Sequence, residues 1–117
     1  MRWRTPSMDH IEVLMRLHEA AGAPVPRAEV ERTSRLGPQT VERALADLVR
    51  TGLATHDAAA DAFRYAPKSP QDEPAVDALA VMYHQRPVTL VKLVYSQPSG
   101  PVKSFADAFR LRGREDE

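Results

Sequence analysis

The chain contains no cysteine, which excludes a disulfide framework, a thiolate zinc site and a thiol nucleophile. Glycine is also sparse, five in 117 residues, and the sequence spells out no glycine-rich phosphate loop, no nucleophile elbow and no paired-carboxylate motif. Enzymatic activity is therefore not expected, and no cofactor is. The opening residues "MRWRTPSMDH" lack the apolar run of a signal peptide, and no stretch reaches the 18 apolar residues needed to cross a bilayer. These absences lead us to expect a soluble, cytoplasmic protein with no membrane partner. An excess of either charge is missing too: 16 basic residues face 16 acidic ones. A dedicated nucleic-acid binder more often carries a basic excess, so any basic footprint here must arise from local arrangement.

The hydrophobic share is 43% in 117 residues, enough for one ordinary domain to bury a core without staples. The richest stretch is "SRLGPQTVERALADLVRTGLA", residues 34 to 54. Pro38 suits a first helical turn and Gly52 suits the left-handed residue that ends a helix, so the spacing predicts a helix from Pro38 to Thr51. Val41, Ala44, Leu45, Leu48 and Val49 recur at three- and four-residue steps and form its buried face. The opposite arc carries Gln39, Arg43, Ala46 and Arg50, with Glu42 and Asp47 on the flanks. Asp47 stands at the right spacing to pair with Arg43 and Arg50 on the surface.

Upstream, Ser7 is the predicted N-cap of a first helix reaching Ala21, where Gly22 and Pro24 stop it. Its apolar arc is broad, with Ile11, Val13, Leu14, Leu17 and Ala21 joined by His10 and His18. "GAPVP" reads as a loop and Arg27 to Arg32 as a short second helix with Val30 pointing inward. Downstream, "LATHD" and "AFRYA" have strand character and "DAAAD" between them makes a hairpin.

Three helices followed by a hairpin resemble the winged helix-turn-helix superfamily, closest to MarR-like bacterial transcriptional regulators, over residues 8 to 67. The likeness rests on Val30, Leu36, "TVERALADLVRTGL" and the hairpin. It implies a DNA-binding domain in which Arg35, Gln39, Thr40 and Arg43 reach base edges and phosphates and Arg64 acts from the wing, and Arg50 on the exposed arc is a further candidate phosphate contact. Two features weigh against wing contact: Asp57 and Asp61 flank the hairpin tip and would repel a duplex. The alternative is a non-catalytic protein-interaction module on the same fold.

Residues 68 to 117 form a C-terminal helical extension. "KSPQDEP" is a linker with Ser69 and Glu73 as alternative helix caps. A fourth helix follows, with Val76, Leu79, Ala80 and Tyr83 on one face. "RPVTLVKLVYS" is read as a fifth helix because Thr89, Lys92 and Ser96 fall at helical spacing. Ser104 and Asp107 make an S-x-x-D capping pattern for a last helix, "SFADAFRLR", with Phe105 and Phe109 stacked four apart. The expected class is thus mainly α with a small β-hairpin. A homodimer is expected through Ile11, Leu14, Leu79, Tyr83, Leu90 and Val94. Residues 104 to 112 could dock a protein partner through Phe105 and Phe109, though a groove on the same chain is the plainer destination. Trp3 in "RWR" is either a basic arm's anchor or simple packing. His10, His18, His56 and His84 are too dispersed for a metal site.

Overall fold

The computed structural model describes residues 7–95, residue 100 and residues 102–107. The elements run α1 (Met8–Glu19), β1 (Val25–Pro26), α2 (Arg27–Ser34), α3 (Pro38–Arg50), β2 (Ala54–Asp57), β3 (Ala62–Tyr65), α4 (Asp72–Gln85) and α5 (Pro87–Tyr95), and residues 102–107 are again helical. The described chain is mainly helical with a small three-stranded antiparallel sheet ordered β1-β3-β2.

The helix ends follow from their capping chemistry. Ser7 caps α1 in a reciprocal box, its side chain taking the His10 backbone N–H while the His10 ring takes the Ser7 N–H. A histidine thus stands where glutamate or glutamine is usual. At the end of α3, Gly52 adopts φ +85°. Its N–H donates to the Val49 carbonyl at 3.1 Å and the Leu53 N–H to the Leu48 carbonyl at 2.9 Å. That pair of bonds closes a helix through a left-handed residue, which glycine supplies without a Cβ penalty.

The expected hairpin is present, with Thr55 opposite Arg64 and His56 opposite Phe63. The reading of "GAPVP" as a loop needs correction, because Val25 pairs with Phe63 and Pro26 with Ala62. Proline tolerates this edge position because its missing N–H leaves no ladder bond unmade there. Two expected caps differ as well. Neither Ser69 nor Glu73 caps α4, whose N-cap is Gln71. Ser104 does not open the last helix, since Val102 and Lys103 are already helical and Asp107 instead takes a bond from Lys103 Nζ at 2.8 Å.

One core runs through all of these elements. It joins Val13, Leu14 and Leu17 of α1 to Leu45 and Leu48 of α3, and continues through Val76 and Leu79 of α4 and Leu90 of α5 to Val102 and Phe105. This arrangement corrects the expected homodimer surface. Ile11, Leu14, Leu79 and Leu90 are at most 1% exposed within one copy, because α4, α5 and the 102–107 segment cover the faces that the first three helices leave open. Only Tyr83 and Val94 of that expected set keep surface. Phe105 is buried in the same core, the same-chain destination, while Phe109 lies outside the described residues.

Candidate nucleic-acid interface

The third helix presents two chemically different sides. Val41, Ala44, Leu45, Asp47 and Leu48 are buried, whereas Gln39, Glu42, Arg43 and Ala46 are exposed and Thr40 and Arg50 half-exposed. The aspartate in the buried set is one that periodicity misses, since it places Asp47 on a solvated flank. It is held inside because His10 Nε2 approaches Asp47 Oδ2 at 2.8 Å, with both side chains under a tenth exposed. The Ser7 backbone N–H donates to His10 Nδ1 at 3.1 Å, so Nε2 carries the proton that Asp47 accepts. Arg50 Nη2 then donates to Asp47 Oδ1 at 3.0 Å.

Ser7 Oγ also lies 3.1 Å from Nδ1, which puts serine, histidine and aspartate in the order of a hydrolytic triad. The lone pair that a general base would need is occupied by the Ser7 N–H, and the Ser7 hydroxyl is committed to the start of α1. The row functions as a cap and as a link from α1 to α3. A hint of it exists in the sequence, where His10 sits three residues after Ser7, but nothing local points to Asp47.

Because Asp47 turns inward, Arg43 is left without it. Among the described residues no ion pair engages Arg35, Arg43 or Arg64. Arg35 occupies the turn between α2 and α3 with φ +62°, a left-handed conformation that costs a non-glycine residue about 1–2 kcal/mol. Gln39 and Arg43 rise along the same face of α3, about 6 Å apart on the axis. Arg64 does not share that surface. Cross-strand partners lie on the same side of a sheet, so Arg64 goes with Thr55, whereas His56 and Phe63 border α3 from the other side. The latter two help line a depression of about 350 Å³ with Arg27, Glu42, Ala46, Val49 and Arg50.

The acidic hairpin is also partly neutralised. Arg27 forks onto Asp61, Nε to Oδ2 at 3.0 Å and Nη2 to Oδ1 at 3.2 Å, and His56 Nε2 reaches Asp61 Oδ1 at 3.0 Å. The Arg27 and His56 hydrogen bonds hold the Asp61 carboxyl below its ordinary range, and Asp61 in turn raises Arg27. Phe63 packs against both partners of Asp61, with the His56 ring stacked at 4.3 Å and the Arg27 guanidinium 5.3 Å from its centroid. Asp57 is spent differently, accepting the Ala59 backbone N–H at 3.1 Å.

The remaining histidines do not converge. His18 meets Asp77 at 2.9 Å, and His84 lies near the end of α4, 3.8 Å from Glu19. Among the described residues no group of three His, Asp or Glu side chains could hold a metal ion, and no helix is long and apolar enough to cross a membrane. Trp3 and the rest of "RWR" lie outside the described residues. The chain matches no protein-family model, no curated protein and no solved structure.

Proposed function

We propose that the chain is a duplex-DNA-binding transcription regulator built on a winged helix-turn-helix. In this reading α2 and α3 are the helix-turn-helix and the β2–β3 hairpin is the wing. One observation carries it: Arg35 in the turn and Gln39 and Arg43 in the first half of α3 are exposed with no ion-pair partner among the described residues, and Asp47, which spacing would pair with Arg43, is buried against His10 instead. The N-terminal half of a recognition helix is the part that enters the major groove. Arginine can grip guanine O6 and N7, and glutamine adenine N6 and N7. The distance of about 6 Å between Gln39 and Arg43 spans about two base-pair steps.

Arg35 adds a second support. Glycine is the favoured residue at its left-handed position, so an arginine there trades local stability for a side chain. Thr40 and Arg50 are assigned to the backbone, where they position the helix without reading sequence, and Arg64, on the other side of the sheet from α3, has no part in that contact. One copy offers few phosphate contacts, and a homodimer on two half-sites would supply the rest without new chemistry. The competing reading is a protein-interaction module on the same fold, favoured by the zero net charge and by exposed Glu42 beside Arg43. Gel shifts with genomic fragments at two salt concentrations separate the two. Binding that discriminates among fragments and weakens with salt supports the DNA reading, and no shift at micromolar protein rejects it.

A further inference from the structure

The fifth helix carries an apolar stripe on its outer side. Leu90 is fully buried, but Val88 is 66%, Val91 40% and Tyr95 66% exposed. Their spacing of three and four residues aligns them on one face, and from Val88 to Tyr95 the stripe is about 10 Å long. Three large apolar side chains in a row on a short helix call for a cover.

The start of the described chain lies at one end of this stripe. The Met8 backbone N–H donates to the Tyr95 hydroxyl at 3.3 Å. Residues 1–6 therefore depart from a point beside Tyr95, and they include the only tryptophan of the sequence. Four Cα steps separate Ser7 from Trp3, a reach of at most about 14 Å, longer than the stripe itself.

We propose that Trp3 docks on the Val88–Val91–Tyr95 stripe, so that the N-terminal segment of the same chain covers α5. An indole over valine and tyrosine buries a large apolar area at small entropic cost, and Arg2 and Arg4 on either side keep their charge in water. Tethering favours this occupant over a second copy, because a segment joined a few residues away acts at high effective concentration. A second copy would need roughly 800 Å² per partner for a stable dimer, more than one stripe on a helix about 13 Å long presents. The proposal is independent of DNA binding.

The single tryptophan makes the test direct. Emission and acrylamide quenching of the full chain are compared with those of the free peptide MRWRTP, and with Val91→Asp and Tyr95→Ala variants. Thr89→Asp, exposed on the same helix but off the stripe, is the control. The expected result is blue-shifted, protected emission in the native chain and in the control. In Val91→Asp and Tyr95→Ala it shifts to the red and quenches like the peptide, with the far-ultraviolet circular dichroism unchanged. Native emission equal to that of the peptide overturns the proposal, as does protected emission that neither variant alters. A dimer by light scattering that Val91→Asp splits, with tryptophan emission unaffected, assigns the stripe to a second copy and also overturns it.

Discussion

His10 in α1 and Asp47 in α3 meet at 2.8 Å inside the protein, both nearly inaccessible to solvent. This contact ties the N-cap of one helix to the buried side of another, the side that Val41, Leu45 and Leu48 of α3 turn inward. Removing one member leaves the other buried and short of a partner, which costs about 1–3 kcal/mol. His10→Ala and Asp47→Ala should each lower the melting temperature by several degrees. In a double-mutant cycle the pair should show a coupling of about 0.5–3 kcal/mol. Additive effects would mean that the two residues do not act together.

Arg35 separates stability from binding. Arg35→Gly places the residue that prefers φ +62° at that position, so the fold should hold or gain slightly, by up to about 1 kcal/mol. DNA affinity should fall across all sequences, as expected for a phosphate contact. A variant that loses stability instead would show that the arginine side chain supports the turn rather than the ligand.

Much of this architecture is legible in the sequence. Pro38, Gly52 and the apolar steps of α3 mark a helix whose ends and buried face the structure reproduces, and Thr89 with Lys92 at helical spacing is enough to read valine-rich α5 as a helix. The inward turn of Asp47 is not legible, because its partner lies 37 residues away and periodicity treats every carboxylate as surface. The Arg27–Asp61 clasp is hidden for the same reason, and the two-residue β1 is too short to carry any alternation. The apolar first, fourth and fifth helices suggest a dimer because the sequence shows how much surface needs covering and not that these helices cover one another.

The clasp on Asp61 gives a pH dependence. Its carboxyl is held below the ordinary aspartate value by the hydrogen bonds from Arg27 and then His56. The stabilisation is therefore complete above the ordinary value of about 3.9 and is lost as pH falls through the lower, folded value. Carboxyl-detected NMR should find the Asp61 midpoint below that ordinary value and find it raised in Arg27→Ala. An ordinary midpoint in the native chain would remove the clasp.

At the alkaline end Tyr65 acts with the opposite sign. Burial, aided by Asp77, Glu73 and Asp72, pushes its hydroxyl up to about 12, and the hydroxyl has no hydrogen-bond partner among the described residues. A raised value means stability that is complete below about 10 and lost as pH climbs through the folded value. Tyr65→Phe should flatten the loss of stability between those limits, followed by denaturant titration. Equal slopes in both proteins would contradict the shift.

The central claim is that the outward side of α3 binds duplex DNA, and the salt dependence of binding tests it most directly. Anisotropy of a labelled duplex selected from genomic fragments gives log K against log salt, and the slope steepens by roughly 0.9 for each phosphate that the protein neutralises. The account predicts a steep slope for the native chain. Arg35→Ala and Arg50→Ala should each flatten it by about the share of one phosphate. Arg43→Ala should cost about 1–3 kcal/mol on the selected sequence and little on others, with thermal stability changed by less than about 0.5 kcal/mol. No salt-dependent binding by the native chain, or binding that all three substitutions leave unchanged, would contradict it.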